Sequence, residues 1–187
     1  MEALRKKEGY TYSDYCNWPD DERWELIDGY AYALAAPTIT HQRVSGEIFR
    51  QLSNFLRGKR CQVFDAPCDV RLNAQGFDDD VVQPDILVVC DEKKLADGKS
   101  VVGAPDLVIE VLSPTTASYD RIQKYKLYQR VGVREYWIVD PDEKLLMVNI
   151  LRAGRYSSFL FFEDDEAVPV EVLDGCSINL TEVFEGL

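Results

Sequence analysis

The 187-residue chain contains a single histidine, His41. A metal centre built on several imidazoles is therefore excluded. Cysteine is sparse, with five residues at positions 16, 61, 68, 90 and 176 and no C-x-x-C pair. The odd number and the spacing argue against both a disulfide framework and a zinc site, so free thiols in a reducing compartment are expected. No apolar run approaches the roughly 20 residues that span a bilayer. The opening MEALRKKEGY also lacks the apolar stretch of a signal peptide. A cytoplasmic protein without membrane association is expected. Repeats and low-complexity linkers are missing as well, which predicts one domain over residues 1–187.

Positive charge is in the minority. The net charge is −12, which taken alone argues against a nucleic-acid partner. The distribution is uneven, however. Residues 41–71 carry a net +3, residues 118–134 a net +4, and residues 140–187 a net −8. The two basic segments could face phosphates, or they could be solvated helix faces.

Hydrophobic periodicity and turn residues outline the elements. Thr11 and Asp14 predict a short capped helix. Arg23 to Ile27 and Tyr30 to Ala36 read as strands joined by an Asp28-Gly29 hairpin turn. Val44, Ile48, Leu52, Phe55 and Leu56 recur near a period of 3.6 and predict a helix over 38–57. Short strands follow near 61–64 and 68–72, then Asp85 to Cys90 and Asp106 to Leu112. A helix is expected over 117–130, packed on the sheet through Ile122, Tyr125 and Tyr128 or nearby positions. Strands at Arg134 to Val139, Leu145 to Leu151, Tyr156 to Phe162 and Val168 to Val172 complete the chain, the last three as a terminal β-meander. The order predicts an α/β or α+β fold with one mixed central sheet.

One strand carries an anomaly. In Asp106-Leu-Val-Ile-Glu110-Val-Leu both faces are apolar, so the strand is expected to be covered on both sides. Glu110 then points into a dry region, where an unpaired carboxylate costs several kcal/mol or takes up a proton. Asp85-Ile-Leu-Val-Val-Cys90 is the expected neighbour. If the two strands are antiparallel across the polar connection 91–104, Asp85 lies close to Glu110. A divalent cation would resolve the repulsion, and oxygen-only ligands favour Mg²⁺ or Mn²⁺. The alternative is that Asp85 merely opens a strand after Pro84 and that Glu110 pairs with a lysine in the core. Lys124 and Lys126 lie in the following helix, and Lys124 can reach back toward the carboxylates. The alternative, a surface lysine on a basic helix, is the usual fate of a lysine.

The segments Gln83-Pro84-Asp85, Val108-Ile-Glu110-Val-Leu-Ser113, Asp120-Arg121-x-x-Lys124-x-x-x-Tyr128 and Gly132-Val-x-Glu135-Tyr-Trp-Ile-Val-Asp140-Pro141 resemble the Uma-type family. Glu25-Leu-Ile-Asp-Gly29 and Thr40-His41 match it too, and the resemblance covers a core of about residues 10–185. The family comprises restriction-endonuclease-like proteins of the PD-(D/E)XK nuclease superfamily. The resemblance implies a mixed central β-sheet flanked by helices and Mg²⁺-dependent (or Mn²⁺-dependent) hydrolysis of phosphodiester bonds, with DNA as partner. It implies that Asp85, Glu110 and the backbone carbonyl of Val111 bind the metal, that Lys124 positions the attacking water, and that Glu25 adds a carboxylate at the edge. The superfamily usually places its lysine two residues after the glutamate. Leu112 stands there in this chain, so the lysine comes from the next helix, with Lys126 as the weaker candidate. His41 could contact a phosphate, move a proton, or simply cap or pack locally. A homodimer would suit cutting two strands. Two other readings compete: a catalytically inactive module that binds nucleic acid or protein, and a carboxylate-pair glycosidase, which strand-borne carboxylates beside a lysine disfavour.

Overall fold

A computed structural model describes residues 9–19, 22–113, 117–162, 165 and 167–187. The helix Tyr12–Tyr15 (α1) is capped as expected, with the Thr11 amide and hydroxyl both donating to the Asp14 carboxylate. Trp24–Ile27 (β1) and Tyr30–Ala33 (β2) form the expected hairpin. Its turn residues Asp28 and Gly29 take φ of 50° and 73°, the left-handed pair that matches the twist of the strands. Ile39–Leu56 (α2) begins at Thr38, whose side chain accepts from the His41 backbone N–H. Its buried Val44, Ile48, Leu52 and Leu56 form the predicted apolar stripe.

The remaining strands are Gln62–Asp65 (β3), Val70–Arg71 (β4), Val81–Val82 (β5), Ile86–Val89 (β6), Val101–Val102 (β7), Leu107–Val111 (β8), Glu135–Asp140 (β9), Leu145–Arg152 (β10), Arg155–Phe162 (β11), Val168–Pro169 (β12) and Ser177–Ile178 (β13). Between β8 and β9 run Ala117–Tyr119 (α3), a π-turn at Asp120–Lys124, and Tyr125–Val131 (α4). Leu180–Val183 (α5) follows β13.

The six-stranded sheet has the order β11-β10-β9-β8-β6-β3. Its β8–β9 pair is parallel and its other pairs are antiparallel, so the sheet is mixed, as predicted. Strands β6 and β8 are buried throughout. One face packs Ile86, Val88, Leu107, Ile109 and Val111 against the α2 stripe. The other packs Leu87, Val89 and Val108 against Leu127 and Tyr128 of α4. The predicted split of the Glu110 strand into two apolar faces is what the packing shows. The α+β architecture is therefore as expected.

Several details differ. Five strands form a second sheet, β2-β1-β5-β4-β7, where one central sheet was predicted. The chain leaves this sheet after Val82 and enters β6 at Ile86, crossing at Gln83-Pro84-Asp85. Pro84 has no N–H to continue a ladder, so the crossing falls there. The connection 91–104 contains a 3₁₀ turn at Glu92–Leu95 and β7 of the second sheet. The third piece of the expected meander, β12, pairs with β13 instead of extending the sheet. Ile122 is 47% exposed, not packed. The π-turn spans Asp120–Lys124, and its extra residue shifts the helical phase by about 100°. Tyr125 and Tyr128 pack against the sheet as expected, together with Leu127.

The expectation of free thiols fails at one place. Cys61 and Cys90 form a disulfide, while Cys16, Cys68 and Cys176 are free. The β3–β6 register pairs Gln62 with Val89, which sets Cys61 opposite Cys90. Spacing in one sequence contains no strand register, and only the register shows which thiols meet.

Candidate active site

The junction between the two sheets gathers side chains from five segments. Asp85 ends the crossing and stands just before β6. The pairing of Ile86 with Ile109 continues to Asp85 opposite Glu110, so the antiparallel neighbourhood expected from sequence is present. The Asp85 Oδ2 accepts a hydrogen bond from the Val111 backbone N–H at 2.8 Å and lies 3.0 Å from His41 Nε2. His41 reaches it from the first turn of α2, while its own Nδ1 is buried without a hydrogen-bond partner among the described residues. His41 thus sits on a carboxylate, in addition to helping form the N-terminus of its helix.

Glu110 projects from β8 toward the helical crossover. Its Oε1 accepts from Lys124 Nζ at 2.9 Å and from the Tyr128 hydroxyl at 2.7 Å. Lys124 is only 4% exposed and also lies 3.0 Å from Glu25 Oε1 and 3.6 Å from Asp120 Oδ1. Glu25, fully buried on β1, accepts in turn from the Gln83 backbone N–H at 2.8 Å and from the Tyr119 hydroxyl at 3.2 Å. Lys126 is exposed on the opposite side of the helix. The geometry therefore selects Lys124 over Lys126 as the lysine at the carboxylates. It also joins the two sequence alternatives: Glu110 faces the Asp85 junction and is paired with a lysine in the core.

The electrostatics follow from burial. Desolvation drives the Glu110 carboxyl well above its ordinary range, with Lys124 pulling against it and Asp85, Asp120 and Glu25 adding to it. Burial alone would push the Lys124 ammonium down, but Glu110, Glu25 and Asp120 outweigh it and hold the lysine well above its usual value. Lys124 is thus a fixed cation and not a proton acceptor near neutrality. Burial likewise raises the Tyr128 phenol well above its usual value, so it remains a neutral donor. Three carboxyl groups thus surround one ammonium.

Asp85, Glu110, Val111, Ser113, Asp120 and Lys124 line one side of a cavity of about 470 Å³. Thr38, His41, Gln42, Ser45 and Phe49 of the α2 segment line another part. Glu25 does not reach the wall and stands behind Lys124. Among the described residues no group of three or more His, Cys, Asp or Glu side chains is gathered as a cage for a metal. Mg²⁺ keeps several waters and takes only one or two carboxylates, so the oxygen donors of Asp85 and Glu110 on one wall fit a hard divalent cation.

Sequence reasoning passed over Asp120 and Tyr128 as site residues. Their signal was the i, i+4 spacing that flanks Lys124 on both sides and puts all three on one helical face. The basic segments resolve differently. Arg50 pairs with Glu47 and Glu182, Arg71 with Asp78, Arg121 with Asp140, Arg130 with Asp28 and Asp80, and Arg134 with Asp106. Among the described residues four of the five bases in 118–134 are thus paired with carboxylates, counting Lys124, but only Arg50 and Arg71 of the six in 41–71.

The Uma2 family model, described as putative restriction endonuclease, matches residues 12–181. The chain belongs to the Uma2 family. Among its relatives is an uncharacterized protein of Synechocystis sp., 32% identical over 120 residues, which are 62% of this chain and 60% of the relative. A second uncharacterized Synechocystis protein is 28% identical over 121 residues, 64% of this chain and 67% of its own length. The chain thus spans about three fifths to two thirds of these relatives. In fold, this Uma2 protein is similar to a crystal structure of a putative nuclease belonging to DUF820 from Anabaena variabilis, with a TM-score of 0.76 at 20% identity over 94% of this chain and 97% of the other. That likeness bears on the fold alone.

Proposed function

We propose that this Uma2 protein is a Mg²⁺- or Mn²⁺-dependent endonuclease that hydrolyses phosphodiester bonds of DNA. The observation that carries the reading is the meeting of Asp85, Glu110, Val111 and Lys124 on one cavity wall. Asp85, Glu110 and the Val111 carbonyl would hold the ion, which when bound polarises a phosphate and lowers the pKa of its coordinated water. The other residues act around that centre. Lys124, permanently charged, donates a hydrogen bond to the attacking water or to the developing oxyanion and does not take its proton. Glu25 and Tyr128 hold Lys124 and Glu110 in position through the contacts described above. His41 orients Asp85, and the Val111 amide fixes the same oxygen, so the other oxygen of that carboxylate is the one to offer to a cation. A two-fold assembly would set two such cavities against the strands of a duplex.

Plasmid and oligonucleotide substrates incubated with Mg²⁺ or Mn²⁺ test the reading. Cleavage by wild type that is lost in Asp85→Ala is the expected result. Equal, background-level products from both proteins over a broad substrate panel would refute it.

A second reading draws support from one observation. The charge of Lys124 is already shared among three carboxylates. A module that binds nucleic acid or protein without catalysis would retain such a closed cluster. Oligonucleotide binding in a protein that takes up no Mn²⁺ at millimolar concentration would favour it.

A further inference from the structure

Arg23 is a cavity-wall cation with a different environment from the rest. It stands immediately before β1 and lines the same cavity as Asp85 and Lys124. Its Nε donates to Gln83 Oε1 at 2.8 Å. Gln83 is itself fixed, since its amide N–H groups donate to the Tyr15 hydroxyl and to Asp69 Oδ1, each at 2.9 Å. The Tyr15 hydroxyl closes the triangle by donating to Asp69 Oδ1 at 2.8 Å. The guanidinium is thus held at one nitrogen by a chain of neutral and anionic groups that passes through Gln83, two residues before Asp85.

That hold uses Nε and leaves the forked end of the guanidinium to the cavity. Among the described residues, no carboxylate lies within ion-pair distance of Arg23. By contrast, Lys124 is enclosed by Glu110, Glu25 and Asp120, and His41 by Asp85. An arginine anchored through Nε presents two N–H groups in the flat geometry that matches two oxygens of one phosphate. Resting on the nuclease reading above, we propose that Arg23 is the residue that binds a phosphate group of the DNA strand beside the cleaved bond, with Gln83 as its positioning residue.

The test is binding of a short fluorescein-labelled single strand of DNA, read by anisotropy in the absence of divalent metal across a salt series. Wild type, Arg23→Gln and Arg23→Lys are compared, with thermal melting as the check on folding. Arg23→Gln is expected to bind about tenfold or more weakly, the loss of a charged hydrogen bond. The slope of log affinity against log salt should become shallower by about 0.7, one single-strand phosphate contact. Arg23→Lys keeps the charge but not the fork and should recover part of the affinity. In cleavage with Mg²⁺, the Arg23→Gln loss should fall mainly on KM. Unchanged affinity and salt slope in Arg23→Gln overturns the proposal. If that variant fails to fold, Arg23→Lys decides: reduced affinity supports the proposal, and wild-type affinity overturns it. A wild type that cleaves while Arg23→Gln matches it removes the Arg23 assignment and leaves the nuclease reading standing. A wild type that neither binds nor cleaves removes both.

Discussion

Lys124 connects the stability of the protein to the proposed chemistry. Removing it as Lys124→Ala leaves Glu110 and Glu25 buried without their cation. Breaking one side of a buried pair costs about 3–5 kcal/mol, so chemical denaturation should show a loss of that order together with loss of any cleavage. Asp85→Asn is expected to separate the two effects. Its side chain is 20% exposed, so activity should disappear while the melting temperature stays near wild type. Glu135 offers a test away from the site. It is buried, and desolvation raises its carboxyl despite hydrogen bonds from the Val172 amide and Trp137. A group that binds its proton more tightly when folded stabilises the fold below its unfolded pKa, here 4.5, and loses that contribution as pH rises through the folded value. Urea midpoints should therefore fall more steeply from pH 4.5 toward neutrality in wild type than in Glu135→Gln. Asp85 and Glu110 were legible in the chain because carboxylates on apolar strands break a local pattern, whereas Lys124 was legible through the motif it shares with the family. Arg23 and Gln83 were not, since nothing local distinguishes an arginine before a strand from any surface arginine. Only the crossing between sheets brings them to the cavity.

Among the elements, α2 and β8 were the most readable, and both owe this to strong periodicity. The α2 stripe carries a direct consequence. Leu52 is fully buried against the central sheet, and Leu52→Ala should cost about 2–5 kcal/mol with cleavage retained below the lowered melting temperature. The helical crossover was placed correctly in sequence, and Tyr125 and Tyr128 pack as expected, but Ile122, inside the π-turn at Asp120–Lys124, faces outward. An extra residue in a helical turn has no compositional signature. The β3–β6 pair shows the same limit for strands. Its cysteines are 29 residues apart and meet only through register. Mass spectrometry after alkylation without reductant should find three labelled cysteines and one bridge, Cys61–Cys90. Labelling of all five would refute the pairing.

For the molecule as a whole, the central point is that two sheets meet at Gln83-Pro84-Asp85 and bring Glu25, Asp85, Glu110 and Lys124 to one junction. The fold class followed from the order of elements, but the second sheet did not, because its strands β4, β5 and β7 have two residues each and no readable period. The acidity of the chain also acquires a location. The net charge is −12, and among the described residues Arg50, Arg71, Arg121, Arg130, Arg134 and Arg152 are paired with internal carboxylates, which leaves less positive charge for the proposed DNA partner. The cavity is where the proposed anion-binding and cation-binding groups converge. Calorimetric titration of Mn²⁺ into wild type and Asp85→Asn examines that convergence directly. One ion per chain binding to wild type, with loss of the heat in the variant, is the expected outcome. Equal heats in the two proteins, or none in either at millimolar Mn²⁺, would remove the metal from this junction.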